Sequence, residues 1–185
     1  MSEAALSDLT AKLGHSFADP ELLREALTHR GAVGLPGAPR YGYERLEFLG
    51  DRVLALVIAE ILLAEHPEEA EGALARRLTG LVRREALERV AADLDLGRYL
   101  VLAQSEERAG ARANTGIQAD ACEAVIGALF LDGGLEVARR FVDRFWRPLL
   151  IDHGGAHRDA KTELQEWAQA RGLGLPEYVE AAREG

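Results

Sequence analysis

Hydrophobic residues recur along the chain at helical spacing, and strict alternation of apolar and polar residues is almost absent. A leucine repeat predicts a short first helix that ends at Gly14. Asp19 and Pro20 are typical of an N-cap and a first helical position, so a second helix is expected to begin there. Glycine and proline between residues 31 and 42 predict a loop, and a long helix is expected from Tyr43 to Glu65.

The second half of the chain continues this helical pattern. One helix is predicted from Glu71 to Ala92. Thr115 to Gln118 has the capping-box pattern, which predicts a helix that ends before Gly133. An amphipathic segment follows from Leu135 to Leu150. Together these elements predict an all-α domain over residues 1–150.

The C-terminal part is predicted to be organised differently. Residues 151–159 are interpreted as a linker because of their glycine and polar content. A helix is expected from Lys161 to Arg171, followed by a short strand from Glu177 to Ala181. Residues 160–185 are therefore interpreted as the beginning of a second, different unit.

Acidic residues interrupt the apolar pattern of the long helix at helical spacing. At about 100° per residue, Glu44, Glu47 and Asp51 fall within one narrow arc. The same face continues into Leu54 and Ile58, and the other faces are also rich in apolar residues. Because a helix that is apolar nearly all round is usually buried, we expect these carboxylates to adjoin the core rather than a solvated surface.

The helix that follows Thr115 repeats the arrangement, with Asp120 and Glu123 three residues apart on one face. Burying ionised carboxylates without partners is costly, and a divalent cation shared between the two helices is the simplest way to offset that cost. Ligation by oxygen alone suits Mg²⁺, with Mn²⁺ as a substitute. Such ions can activate a water and stabilise the charge that develops on a phosphodiester.

Two glycines lie inside these otherwise strong helices, at Gly50 and Gly127. Each costs roughly 1 kcal/mol relative to alanine in a helix interior, so a packing reason is expected. We predict that they allow the two helix backbones to approach closely.

The composition, 48% hydrophobic and 29% charged, indicates an ordinary soluble globular chain. The first residues lack a secretion signal, and the apolar run from Val53 to Ala64 contains Glu60 and is too short to span a bilayer, so no membrane partner is expected. The single cysteine, Cys122, suits a reducing cytoplasm. The net charge of −9 argues mildly against a nucleic-acid partner, because such domains are usually basic on the binding face.

The acidic segments carry a resemblance to a known family. Glu44 to Asp51, ERLEFLGD, resembles the signature sequence of ribonuclease III, and Ala119 to Ala128, ADACEAVIGA, resembles the second acidic motif of that family. Leu27 to Arg30, LTHR, is similar to a third block upstream of the signature. The resemblance extends over roughly residues 6–150, with these blocks in the family's order.

The resemblance implies an all-helical endonuclease domain that forms a homodimer and cuts double-stranded RNA with Mg²⁺. It implies Glu47, Asp120 and Glu123 as metal ligands, and Asp51 and Glu123 as the catalytic carboxylates, with Asp51 holding the water that attacks. Staggered products with 5′-phosphate and 3′-hydroxyl ends would follow, because each subunit cuts one strand. A cytoplasmic role in processing ribosomal, messenger and small RNAs is also implied.

Two further acids and two departures from the family pattern lie around the predicted metal ligands in the sequence. Glu44 and Glu71 match acidic positions that are expected to support the reaction without being essential. Tyr43 stands where asparagine is frequent, and Arg52 stands where a small residue usually follows the aspartate. Arg52 could pair with an acid or contact phosphate, so both departures concern the geometry of the site and leave the ligand set intact.

The tail resembles the first helix and first strand of a double-stranded-RNA-binding domain, of which the remaining strands and the basic second helix are absent. The match runs from Asp159 to Gly172 and continues at Pro176. By that resemblance Gln165 and Glu166 would contact RNA, in a fold whose first helix reaches the minor groove. The missing basic part would also help to explain the acidic balance of this chain.

Other chemically interesting residues have simpler interpretations. Cys122 is interpreted as a buried structural thiol, and His29 as a packing or capping residue rather than an acid–base catalyst. Phe145 and Trp146 are interpreted as core or dimer contacts. The predicted Glu71 to Ala92 helix also carries two arginine pairs, seven residues apart and therefore on one side; a solvated face and a phosphate contact both remain open. These pairs are Arg76 with Arg77 and Arg83 with Arg84.

Two other classes of function compete with a nuclease. A di-iron or di-manganese carboxylate protein also gathers acids from bundled helices, but it requires Glu-x-x-His motifs, and no histidine here has glutamate three residues before it. A non-catalytic RNA-binding or dimerisation module is expected to lose at least one acid of the cluster. All four of the acids that the resemblance assigns to the reaction are present, namely Glu47, Asp51, Asp120 and Glu123, and this favours a catalyst.

Overall fold

The computed structural model describes residues 3–152, 164–165, 167–169, 171–174 and 176. The chain divides into two compact units, Met1–His153 and Gly154–Gly185. The helices of the first unit are α1 (Glu3–Leu13), α2 (Pro20–Ala26), α3 (Glu44–Glu65), α4 (Glu71–Val82), α5 (Arg84–Leu94), α6 (Leu96–Tyr99), α7 (Gln104–Arg108) and α8 (Thr115–Asp152). Short 3-10 turns cover Arg30–Ala32 and Ala111–Ala113. Within the described residues no strand forms, so the first unit is all-α as predicted.

Helices α3 and α8 form the centre of the first unit, and the other helices pack around them. Leu54 and Ile58 of α3 are fully buried, as are Val125 and Trp146 of α8. The indole Nε1 of Trp146 donates a hydrogen bond to the carbonyl oxygen of Leu81, 2.8 Å away, so even the largest buried side chain has its polar atom satisfied. This confirms Trp146 as a core residue.

The two central helices touch through their backbones at Gly50 and Gly127. A Cβ atom on Gly50 would overlap the carbonyl oxygen of Glu123, and one on Gly127 would overlap the carbonyl oxygen of Leu46. No other residue type fits without moving a helix, because both obstacles are backbone atoms. The predicted close approach is confirmed, and it brings the α3 residues near Gly50 against the α8 residues near Glu123.

A small backbone network fixes the beginning of α3. The amide of Tyr43 donates to the carbonyl of Thr28 at 2.9 Å, and the amide of His29 donates to the carbonyl of Val101 at 3.0 Å. An isolated parallel bridge joins Thr28 and Val101. The loop that leaves α2 is therefore tied both to the first turn of α3 and to the connection between α6 and α7.

The turn between α1 and α2 is held by one buried carboxylate of α8. Asp132 accepts hydrogen bonds from the amides of Ala18 at 3.1 Å and Asp19 at 2.9 Å, and it contacts the His15 Nε2 at 2.6 Å. Asp19 itself caps α2 as predicted, since its carboxylate accepts from the amide of Glu21 at 3.0 Å. Gly14 ends α1 with a φ of +70°, also as predicted.

The helix predicted from Glu71 to Ala92 is wrong as a single element. The chain is extended at Arg83, with φ −69° and ψ 160°, which separates α4 from α5. One reason lies in the core: a continuous helix would use the Leu81 carbonyl internally, whereas here that carbonyl accepts from Trp146. The two arginine pairs therefore do not share one helix.

The cap of α8 also differs from the prediction. Asn114, rather than Thr115, caps the helix, because its side-chain oxygen accepts from the amides of Gly116 at 2.9 Å and Ile117 at 3.2 Å. The Thr115 hydroxyl instead donates to Glu88 at 2.8 Å. The predicted interruption near the glycine pair is confirmed, since Gly134 has φ 75° and ψ −176°.

Helix α3 is not buried on all sides, although it is apolar nearly all round. Phe48, Leu56 and Leu63 expose 64%, 55% and 62% of their surface. They lie on one side of α3, opposite the side that packs on α8. A protomer buries only one face of the helix, and this second apolar face is left open to solvent.

In the second unit the described residues 164–165 and 167–169 are helical, within the helix predicted from Lys161 to Arg171. Gln165 is half-buried there, whereas Glu166 lies outside the described residues. The strand predicted from Glu177 to Ala181 and most of the 151–159 linker are likewise outside them. Across the described part of the chain, no helix combines the length and apolarity needed to cross a membrane.

The glycine contact yields a stability prediction. Replacing Gly50 with alanine should lower the free energy of unfolding by about 3 kcal/mol, because overlap with the Glu123 carbonyl outweighs the gain in helix propensity of about 1 kcal/mol. Urea unfolding followed by circular dichroism measures the difference.

Gly80 of α4 is the matched control, because a Cβ there meets nothing within 4 Å. Alanine at Gly80 should raise the stability by about 0.5–1 kcal/mol. Equal effects of the two substitutions would contradict a tight backbone contact at Gly50.

Candidate metal centre

Three carboxylates from the two central helices converge at one point. Glu47 of α3 and Asp120 and Glu123 of α8 each offer an oxygen, and these oxygens lie within 4.8 Å of one another. All three residues are half-buried. Gly50 is three residues after Glu47, and its contact with the Glu123 backbone sets the separation of the helices at this point.

The carboxylates perturb one another because they are partly desolvated and carry like charge. Burial, followed by the nearby charges of Asp51, Glu47 and Asp120, raises the pKa of Glu123 to about 7. Burial also raises the pKa of Glu47, with a second contribution from Asp120. Burial raises the pKa of Asp120 as well, against the opposing effect of Arg84. The folded chain therefore concentrates negative charge that lacks full compensation.

The donor set fits a hard divalent cation. Carboxylate oxygens are the ligands that Mg²⁺ and Mn²⁺ prefer, and three of them from rigid helices leave room for waters and a substrate oxygen. The group contains neither histidine nor cysteine, unlike a zinc or di-iron centre. A bound cation would offset the cost of burying these carboxylates in their ionised form and the repulsion that adds to the raised pKa values of Glu47 and Glu123.

Asp51, the fourth acid predicted for this site, lies beside the cluster and is paired with an arginine. Its Oδ2 accepts a hydrogen bond from Arg52 Nη1 at 2.7 Å. The same Arg52 nitrogen donates to the Phe48 carbonyl at 3.0 Å, and the guanidinium lies 4.1 Å from the Phe48 ring centre. Asp51 is still near enough for its charge to raise the pKa of Glu123. Of the two possibilities given for Arg52, the structure shows pairing with an acid.

The supporting acids lie at different places. Glu44 is half-buried in the first turn of α3, and its charge contributes to the raised pKa of Glu47. Glu71 is exposed at the first position of α4. The structure therefore places Glu44 near enough to act on Glu47 of the cluster, whereas Glu71 lies on an exposed part of α4.

Tyr43 and His29 form a wall beside the acidic cluster. Their rings meet edge to face with centres 5.8 Å apart, and both side chains are buried. Burial and the charges of Asp120 and Glu47 raise the pKa of the Tyr43 phenol, which therefore stays protonated. His29 Nδ1 accepts from the Gly31 amide at 3.2 Å, which confirms the interpretation as a capping residue.

Cys122 is confirmed as a buried structural thiol. Its side chain is fully buried within α8, and burial raises the pKa of the thiol above its ordinary value. A thiol that stays protonated in an apolar environment is a poor nucleophile.

Sequence reasoning did not assign Arg84 to this site. Its Nη1 lies 3.5 Å from Asp120 Oδ1, and its charge opposes the raised pKa values of Glu47, Asp120 and Glu123. The sequence carried one signal, the arginine pair itself. The prediction of one unbroken helix gave no reason to place Arg84 at the site, because Arg84 becomes the first residue of α5 only through the break at Arg83.

The raised pKa of Glu123 predicts a pH-dependent stability for the metal-free protein. Protonated Glu123 contributes its full stabilisation below the ordinary carboxyl pKa, and that contribution is lost as the pH rises through about 7. Glu123→Gln, which mimics the protonated form, should therefore match the wild type at low pH. At pH above about 8 it should be more stable by about 2 kcal/mol, a value discounted for solvent screening.

Urea unfolding in the presence of a chelator, repeated across this pH range, measures the effect. Glu68→Gln, at an exposed position after α3, is the control and should show no such divergence. A constant difference between Glu123→Gln and the wild type at every pH would refute the electrostatic origin.

The comparisons with known proteins agree on one family. Residues 19–149 match the family described as "Ribonuclease-III-like". Ribonuclease 3 of Azorhizobium caulinodans is 50% identical over 177 residues, which cover 96% of this chain and 75% of that protein. Ribonuclease 3 of Rhodopseudomonas palustris is 47% identical over 185 residues, which cover 100% of this chain and 67% of that protein.

Solved structures give the same result. Two structures of the nuclease domain of ribonuclease III from Campylobacter jejuni superpose with TM-scores of 0.72 and 0.71, at 36% and 34% identity. The first covers 77% of this chain and 96% of that chain, and the second covers 86% and 100%. The first of these studies concerns structural flexibility in the region involved in dimer formation. In sequence, in fold and in the convergence of its acidic residues, this chain belongs to the ribonuclease III family.

Proposed function

We propose that this chain is an endoribonuclease that hydrolyses phosphodiester bonds of double-stranded RNA with the help of Mg²⁺, or Mn²⁺ in its place. The observation that carries the proposal is the convergence of Glu47, Asp120 and Glu123 within 4.8 Å across two rigid helices. Membership of the ribonuclease III family supports the substrate class. Products with 5′-phosphate and 3′-hydroxyl ends correspond to attack by water on phosphorus and departure of the 3′ oxygen.

The carboxylates are proposed to have different roles in the reaction, according to their surroundings. Glu47, Asp120 and Glu123 would hold the metal, because they are the acids that meet at one point. A bound divalent cation supplies Lewis-acid activation of water and stabilises the charge on the phosphodiester. Asp51 lies at the edge of the cluster with Oδ2 hydrogen-bonded to Arg52, and its other oxygen would orient the attacking water. Glu123 must be ionised to bind a cation, so its raised pKa makes metal affinity rise with pH.

Homodimer formation is proposed through the exposed apolar face of α3, formed by Phe48, Leu56 and Leu63. An apolar face of this kind on a helix is a candidate protein interface. The Campylobacter nuclease domain, which shares this fold, has a region involved in dimer formation. Two copies would carry two metal centres, and each centre would cut one strand to leave staggered ends.

The cellular role follows from the family by analogy. Processing of ribosomal, messenger and small RNAs in the cytoplasm is proposed on that basis. Gln165 and Glu166 are proposed to contact RNA from the second unit. Their assignment rests on the sequence pattern, and Glu166 lies outside the described residues.

The first functional prediction concerns Glu123. Glu123→Gln should reduce cleavage of long duplex RNA in Mg²⁺ by at least about a thousandfold, because it removes a ligand charge without changing side-chain volume. Gel analysis at low salt, with and without EDTA, measures the loss, and low salt compensates for weak phosphate attraction by an acidic chain. Ca²⁺, which is larger and coordinates more loosely, should support RNA binding with little turnover.

Glu68→Gln serves as the matched control and should cleave at the wild-type rate. Undiminished cleavage by Glu123→Gln would show that the site has been assigned to the wrong residues. Binding of duplex RNA by a folded wild-type protein that never cuts it in Mg²⁺ would favour the non-catalytic module. Bound iron with oxidase activity would favour the carboxylate oxidase class.

The second functional prediction concerns assembly. Leu56→Glu should convert the dimer to a monomer in analytical ultracentrifugation, because a charge would be buried in the proposed apolar interface. Leu173→Glu is the control: Leu173 is exposed to a similar degree, 54% against 55%, but belongs to the second unit. A dimer that survives Leu56→Glu unchanged would exclude this face as the interface.

A further inference from the structure

Arg84 lies at the edge of the acidic cluster, where it forms an ion pair with Asp120. Its Nη1 lies 3.5 Å from Asp120 Oδ1, and 60% of its side-chain surface remains exposed. Gly116 at the beginning of α8 leaves room for the guanidinium, because an added Cβ there would lie 2.8 Å from the same Arg84 nitrogen. A guanidinium has five N–H donors in a planar fork, so one long ion pair leaves most of its hydrogen-bonding capacity unused.

Arg84 is also the cation that acts on the whole cluster. Its charge opposes the raised pKa values of Glu47, Asp120 and Glu123, so it is electrostatically coupled to all three carboxylates. Its neighbour Arg83 is different: the Arg83 Nε lies 3.7 Å from Glu85 and faces a local surface pair. These two adjacent arginines have similar exposure but differ in their position relative to the metal centre.

A phosphodiester group undergoing hydrolysis must lie next to the metal ligands. A phosphodiester held at the three clustered carboxylates would lie near the Arg84 guanidinium, because that guanidinium contacts Asp120. Arginine can bind a phosphate through two parallel hydrogen bonds. Its present contact with the Asp120 carboxylate, at 3.5 Å, is not of this kind. Metal binding would engage the charge of Asp120 and free the guanidinium for phosphate.

We infer that Arg84 is a phosphate-binding residue of the cleavage site, and that Asp120 holds its guanidinium in place while metal and RNA are absent. The inference rests on the proposed function, since it names a contact to the substrate of that reaction. It assigns two roles to one side chain: a resident counter-charge for Asp120 in the metal-free protein, and a ligand for an RNA phosphate in the complex.

The inference predicts opposite effects on metal and on RNA. Without the positive charge of Arg84, the cluster should bind a divalent cation more tightly, by about three- to tenfold. Without the phosphate contact, RNA should bind more weakly, and the slope of log affinity against log salt concentration should fall by about 0.9 in magnitude, as for one phosphate contact. A residue with a purely structural role would not move the two quantities in opposite directions.

The experiment compares Arg84→Gln with Arg83→Gln in the full 185-residue chain. Both variants lose one positive charge at adjacent positions, so net charge is matched. Mn²⁺ affinity is measured by electron paramagnetic resonance titration in the absence of RNA. Binding of a short RNA duplex is measured by fluorescence anisotropy in Ca²⁺, which limits turnover, between about 50 and 200 mM salt.

Arg84→Gln alone should show the tighter Mn²⁺ binding and the reduced salt slope, and Arg84→Lys should restore part of the RNA affinity. In Mg²⁺, Arg84→Gln should lower kcat/KM by roughly 10- to 100-fold, the effect of one charged hydrogen-bonded contact. Equal salt slopes for the two glutamine variants would overturn the inference, even if Mn²⁺ binding tightened, because Arg84 would then be a counter-charge only. A wild-type chain that fails to cut duplex RNA would instead overturn the proposed function, so the two failures are distinguishable.

Discussion

The backbone contact between α3 and α8 at Gly50 and Gly127 sets the distance on which the rest of the site depends. Each glycine faces a carbonyl oxygen of the other helix, and neither position has room for a Cβ. The helices therefore approach more closely than ordinary side chains allow. Glu47 lies three residues before Gly50, and Glu123 is the residue that Gly50 contacts. The same contact that packs the core thus brings the acidic side chains of two helices together.

Close packing has an electrostatic cost that shapes the chemistry of the centre. Burial raises the pKa values of the three half-buried carboxylates, and with added repulsion from neighbouring acids the pKa of Glu123 reaches about 7. The chain offsets part of this charge with arginines at the edge of the cluster, where Arg84 contacts Asp120 and Arg52 contacts Asp51. Neither arginine is buried, so neither replaces a cation at the centre. The proposed divalent cation would supply the compensating positive charge.

Helix α3 serves two surfaces at once. One side packs on α8 and carries Glu47, while another side exposes Phe48, Leu56 and Leu63. Arg52 lies between these surfaces, since it stacks on Phe48 and binds Asp51. If a second copy covers the apolar side, the dimer interface and the edge of the metal centre lie within one turn of α3. This arrangement explains why an almost wholly apolar helix is compatible with a partly exposed position in a single chain.

The sequence by itself determined the all-α class, several helix ends, the close approach of the two helices at their glycines, and the helix faces on which Glu47, Asp120 and Glu123 lie. These follow from local rules: helical spacing places residues on a face, and caps and glycines act within one turn. The tertiary structure alone decided the break at Arg83 and the cap at Asn114. The break adjoins a carbonyl that accepts from Trp146 in α8, and Thr115 is drawn away from capping by Glu88 in α5. Such partners are distant in the chain, so no local pattern encodes them, and Arg84 entered the site only as a result of that break.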